Sequence, residues 1–216
     1  MDSKIAHENK RRGNRTDKDE KRPGNAPGLR AKTTERIAKW NICGITNKEA
    51  GIVELMENHQ IRIMGVADCR LKNRRNGNNI KIIHNSYTLI WSGVALQERA
   101  KHGVGLIFHP DTAKNIVEFK SISERIMSVR LIDKHKATTI IQTYAPCNDS
   151  YREQERQDFY DQLSEIINEV KDTDELFVMG DLNGRVGGRT ALWEQYLGPF
   201  SDDTRECNSN RKVILE

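Results

Sequence analysis

The sequence predicts a layered α/β fold, and three stretches carry that reading. Residues 37–42, an apolar stripe at Ile52, Leu55 and Met56, and the apolar run 61–66 form a strand, helix, strand unit. Farther on, Phe159, Tyr160, Leu163, Ile166, Ile167 and Val170 recur at helical spacing, which predicts about five turns of amphipathic helix from near Ser150. Residues 176–180, Leu-Phe-Val-Met-Gly, then read as a nearly continuous buried strand. Alternating elements of this kind bury their apolar faces against one another in layers.

In chain order, the first strand ends before Gly44, and Thr46 or Asn47 is the expected N-cap of the first helix. That helix runs to about residue 58, with Val53 at the margin of its apolar stripe. Residues 87–91, 104–108, 126–132 and 138–144 are further strands, separated by turn residues and charges. The last strand gives way at Asp181 to a glycine-bearing loop over 184–188.

The chain has 216 residues, 36% hydrophobic and 31% charged, enough for one core with an appendage. No run approaches the roughly 18 apolar residues of a membrane span, and Met1-Asp2-Ser3-Lys4 leads into polar residues, so a soluble, unsecreted protein without a membrane partner is expected. Residues 1–36 hold eleven Lys or Arg against six Asp or Glu, whereas the remainder holds 24 against 25. The positive charge is therefore a property of a tail too poor in apolar residues to order itself. Its clusters Lys10-Arg11-Arg12 and Lys21-Arg22 read as a nuclear address, a nucleic-acid arm or a solvated tail. A second basic group, Arg70, Lys72, Arg74 and Arg75, follows a buried strand directly, where it meets phosphates or forms a solvated loop.

Four separated cysteines with no Cys-x-x-Cys pair read as reduced thiols rather than a zinc knuckle or disulfide scaffold. His102 and His109 lie seven residues apart, on opposite faces of a strand over 104–108, and cannot share an ion through it.

Asn41, Asp68, Tyr144, Asp181 and Asn183 stand in or just after apolar strands, where a sheet holds a polar group rigidly and still exposes it. Singly, each has an ordinary account: a strand-end turn, a loop cap, a core aromatic, an Asx turn over 181–184.

Together, five ordered blocks resemble the endonuclease/exonuclease/phosphatase superfamily. Within it, they are most similar to the apurinic-like endonuclease domain of RTE-type non-LTR retrotransposons and to craniofacial development protein 2-like sequences. The blocks are Lys39-Trp40-Asn41-Ile42, Ile63-Met64-Gly65-Val66-Ala67-Asp68-Cys69-Arg70-Leu71, His102-Gly103-Val104-Gly105-Leu106, Gln142-Thr143-Tyr144-Ala145-Pro146 and Val178-Met179-Gly180-Asp181-Leu182-Asn183. The resemblance implies a four-layered α/β sandwich and Mg²⁺- or Mn²⁺-dependent hydrolysis of a DNA phosphodiester. It implies that Asn41 and Asp68 sit at the metal, that Tyr144 donates to the scissile phosphate, that Asp181 orients or deprotonates water, and that Asn183 steadies the charged intermediate. These types suit the chemistry, since Mg²⁺ takes hard oxygen ligands and keeps waters.

The sequence departs from the family at two places. Asp68 stands where the family carries Glu, and is shorter by about 1.5 Å. No histidine follows His135, so the family's late Asp-His pair has no counterpart in this sequence. The expectation is a basic tail over 1–36 and a domain over 37–216 lacking its last strands, with impaired nicking and a sheet edge open to a protein partner. The alternatives are a non-catalytic fragment that binds nucleic acid or protein, and hydrolysis of a small phosphoester.

Overall fold

A computed structural model describes residues 36–134, 136–149, 152–185, 208 and 210. The expected disorder of the tail lies outside the described residues, except that Arg36 opens the first strand. That strand, β1 (Arg36–Asn41), is followed by α1 (Glu49–Asn58) and β2 (Ile61–Ala67), the expected unit. The remaining elements are β3 (Ile80–Ile82), β4 (Thr88–Ser92), β5 (Val104–Phe108), a one-turn α2 (Pro110–Ala113), β6 (Ile116–Ser123), β7 (Ile126–Asp133), β8 (Lys136–Tyr144), α3 (Glu153–Asn168) and β9 (Glu175–Asp181). No helix among the described residues is long and apolar enough to cross a membrane.

The strands form two sheets, of order β1-β2-β5-β4-β3 and β6-β7-β8-β9. Alternation along each strand decides which layer a side chain enters. Met64 and Val66 of β2, Leu89 and Trp91 of β4, and Ile107 of β5 pack with Ile52, Val53 and Met56 of α1. Their neighbours Ile63, Ile90, Leu106 and Phe108 turn the other way and meet Met127, Val129, Leu131 and Ile140 of the second sheet. Ile126 and Ile141 face outward again, onto Phe159, Tyr160 and Leu163 of α3. The layers are therefore helix, sheet, sheet, helix, as expected of a four-layered sandwich.

Three expectations need correction. Lys48, not Thr46 or Asn47, occupies the N-cap of α1, and no side chain caps it. Asn47 has φ +63°, outside the extended backbone that an N-cap requires. The strand over 176–180 is not buried: among the described residues β9 is the last strand of its sheet, and Leu176, Phe177 and Val178 are 36–40% exposed. At the edge of the other sheet, Trp40 of β1 is 46% exposed. Finally, β3 and β6 were not expected, since β3 has three residues and β6 alternates irregularly between exposed and half-buried positions.

Candidate active site

Two parallel pairings set the site. The register of β1 on β2 puts Asn41 opposite Ala67, one residue before Asp68, and that of β8 on β9 puts Tyr144 opposite Asp181. Parallel strands end on the same side, so each pair delivers two polar residues to one end of its sheet. The two ends meet: Asn41 Nδ2 donates to Asp181 Oδ2 at 2.8 Å, and Lys39 Nζ donates to the Gly180 carbonyl at 2.8 Å. Four of the five residues expected from the sequence thus gather at one place, with Asn183 two residues beyond Asp181.

Asp68 lies just past β2 with φ +53°, held by Gly44 N–H donating to its carbonyl at 2.7 Å. Its carboxylate is buried and faces Arg70, whose Nη2 donates at 2.8 Å and whose Nε lies 3.2 Å from both oxygens. The Tyr144 hydroxyl is pushed above its ordinary range, first by burial and then by the negative charge of Asp68 and Asp181, while a bond with Asn41 partly offsets the shift. It is therefore a proton-bearing donor at neutral pH. Asn183 Nδ2 donates to the Ala145 carbonyl at 2.6 Å, and its N–H donates to Asp181 Oδ1 at 3.1 Å. The Asx turn is thus present, and it anchors the loop after β9 to the end of β8.

The basic loop is folded against the protein. Besides Arg70 on Asp68, Lys72 Nζ donates to the Leu96 carbonyl at 2.9 Å, and the Arg74 guanidinium stacks 5.1 Å from the Trp91 ring centre. Arg75 is exposed.

Several contributors were not singled out from the sequence for this role. Arg125, 6% exposed, donates to the Tyr144 carbonyl at 3.1 Å, to Glu155 Oε1 at 2.6 Å, and lies 3.3 Å from His102 Nε2. Asn210 Nδ2 donates to the carbonyls of Leu182 and Asn183 at 3.0 and 3.2 Å, bracing the turn from behind. Nothing local marks these residues, because their partners are 19 to 64 positions away. Cys43 and Cys147 are exposed, whereas burial pushes the Cys69 thiol up to about 12. His109 pairs with Arg62, Asp111 and the Tyr87 ring.

Among the described residues no three His, Cys, Asp or Glu side chains converge on a metal position. Asn41 and Asp68 carry hard oxygen donors of the kind that Mg²⁺ or Mn²⁺ takes, and such ions retain waters for the remaining positions. In this structure Arg70 engages the Asp68 carboxylate, and the Asn41 amide nitrogen donates to Asp181.

No protein-family profile matches the chain. It is 27% identical over 187 residues to craniofacial development protein 2 of Bos taurus, covering 82% of this chain and 30% of the relative. The chain thus spans about a third of the length of that relative. Among solved structures it is similar to the AP endonuclease LMAP of Leishmania major (TM-score 0.60, 16% identity, 83% of this chain and 64% of that one). It is also similar to the 3′ phosphatase NExo from Neisseria bound to a product DNA hairpin (0.57, 12%, 84% and 69%). The endonuclease domain of TRAS1, a telomere-specific non-LTR retrotransposon, matches with TM-score 0.51 and 12% identity over 84% of this chain and 68% of that domain. Two sheets layered between helices, with polar residues gathered at the strand ends, therefore carry the fold of the endonuclease/exonuclease/phosphatase superfamily, as the five sequence blocks implied.

Proposed function

We propose that this chain is a retrotransposon-type endonuclease domain that hydrolyses DNA phosphodiesters with Mg²⁺ or Mn²⁺, with impaired nicking. The observation that carries the reading is the bond from Asn41 to Asp181, which joins the ends of two sheets and gathers both carboxylates with Tyr144. The neighbour bound to a product DNA hairpin supports nucleic acid as the substrate class, and nuclear placement belongs to the same proposal.

The roles follow from the donors and acceptors present. Asp68 and Asn41 would hold the ion, which would supply Lewis-acid polarisation of the phosphoryl group. Asp181 accepts a hydrogen bond from the attacking water and takes its proton as the new P–O bond forms, while the P–O bond to the leaving sugar oxygen breaks and that oxygen takes a proton from solvent water. The Tyr144 hydroxyl donates to a phosphoryl oxygen on which charge grows. Asn183 holds the carboxylate of Asp181 through its N–H and has a second donor in its side-chain amide once Ala145 is released.

A second reading, a non-catalytic binder of nucleic acid or protein, draws on one specific observation. Arg70 engages both oxygens of Asp68, and Asp is shorter than the family's Glu, so the carboxylate is quenched. Nicking of supercoiled plasmid separates the two. Under the leading proposal the purified chain nicks with Mg²⁺, stops with chelator, and is inactive as Asp181→Ala. DNA binding without metal-dependent nicking by a folded preparation decides for the second reading.

A further inference from the structure

The imidazole of His102 lies beside Tyr144, with ring centres 6.1 Å apart, in a half-buried position that the five-residue set does not use. Its Nε2 is 3.3 Å from Nη2 of Arg125. A guanidinium has donors only and does not lose its proton in proteins, so the nitrogen that faces it must offer a lone pair. The proton of a neutral imidazole then resides on the other nitrogen, Nδ1. A protonated ring would set an N–H against the guanidinium, and burial together with Arg125 and Lys101 pulls the histidine below its ordinary range.

Arg125 cannot turn away easily. It is 6% exposed, stacks 5.6 Å from the Tyr144 ring centre, and donates from Nη1 to the Tyr144 carbonyl and from Nη2, the nitrogen that faces His102, to Glu155 Oε1. The Gly103 that follows His102 has φ +93°, and a Cβ there would lie 2.8 Å from the Cys69 sulfur, so the backbone carrying the ring is tightly seated. Among the described residues Nδ1 has no hydrogen-bond partner.

We infer that His102 is a phosphate-binding residue, a neutral Nδ1–H donor that bonds a phosphodiester oxygen seated against Tyr144, with Arg125 setting its tautomer. This inference rests on the phosphodiesterase reading above. It adds a second uncharged donor beside the tyrosine hydroxyl, without bringing a further cation close to the site that holds the metal. The ring nitrogens diverge, so a ring held at Nε2 by Arg125 presents Nδ1 away from it.

The test uses the intact chain, chelator and a dinucleotide phosphodiester, thymidylyl-thymidine, followed by ¹⁵N–¹H NMR. The expected spectrum of the free protein at neutral pH shows His102 as the neutral Nδ1–H form, and an Nε2–H form or an imidazolium overturns the inference. Adding the dinucleotide is expected to shift both the His102 Nδ1 and the Tyr144 ring signals. A Tyr144 shift with His102 unmoved overturns this inference alone, and no shift at either residue overturns the phosphodiesterase reading with it. His102→Phe is expected to weaken dinucleotide binding about tenfold, and His102→Gln, which restores an N–H donor, to recover most of that loss. Equal binding by wild type and His102→Phe also overturns it.

Discussion

Replacing Arg125 by methionine removes a guanidinium that is only 6% exposed and joins β7, β8 and α3, while refilling much of its volume. Three losses follow. The Tyr144 carbonyl loses its donor from Nη1, worth about 1–3 kcal/mol for a group left unsatisfied. The stacking against the Tyr144 ring at 5.6 Å adds about 0.5–1 kcal/mol. The pair with Glu155, whose side chain is 43% exposed, adds at most about 1 kcal/mol. Together the substitution is expected to cost about 3 kcal/mol, or roughly 6–12 °C in Tm for a domain of this size. Urea unfolding followed by tryptophan fluorescence reads it as a shift in midpoint at unchanged slope. Glu155→Gln is the control, expected to cost less than about 1 kcal/mol, because only the exposed half of the network changes. Arg125→Met no more destabilising than Glu155→Gln would refute the reasoning, since the cost is assigned to the buried partners of the guanidinium and not to the ion pair.

Arg70→Met is expected to tighten Mn²⁺ binding about tenfold, because the guanidinium competes directly for both Asp68 oxygens. Lys72→Met, whose amine is bonded to Leu96, is expected to change it little, so calorimetric titration of both separates competition from general charge. Gly180→Ala is expected to destabilise by about 2 kcal/mol or more and to abolish any nicking, since φ is +144° and a Cβ would collide with the Thr143 carbonyl beside Asp181. Thermal unfolding and the plasmid assay check it, and a wild-type Tm would contradict the steric argument. Asp174 is held down to about 2, chiefly by hydrogen bonds from Arg130, from an ordinary value of 3.8. A depressed carboxylate stabilises above its ordinary pKa and loses that contribution as pH falls through its folded one. Asp174→Asn should therefore be less stable than wild type at pH 6, and the urea midpoints should converge between about pH 4 and pH 2.

The elements that position the candidate site were legible because their signals are local. The stripe of Phe159, Tyr160 and Leu163 identified α3, and apolar runs ending in Asn41, Asp68, Tyr144 and Asp181 located four strand ends within one or two residues. Residues with weak periodicity escaped, as in β6, whose burial pattern lacks a clean alternation. The burial expected of residues 176–180 failed for a different reason: an apolar run records what a strand is made of, not whether another strand lies beside it.

What the sequence determined by itself was the class of fold, the order of its strands and helices apart from β3, α2 and β6, and the residue types offered at the strand ends. Period and turn chemistry act between neighbours a few positions apart, so they can be read along the chain. Tertiary structure alone decided that Asn41 meets Asp181 across 140 positions, that Arg70 turns back on Asp68, and that buried Arg125 joins His102 to Tyr144. Those choices depend on the register of two parallel pairings and the packing of two sheets, and no local pattern encodes which polar side chain will face which.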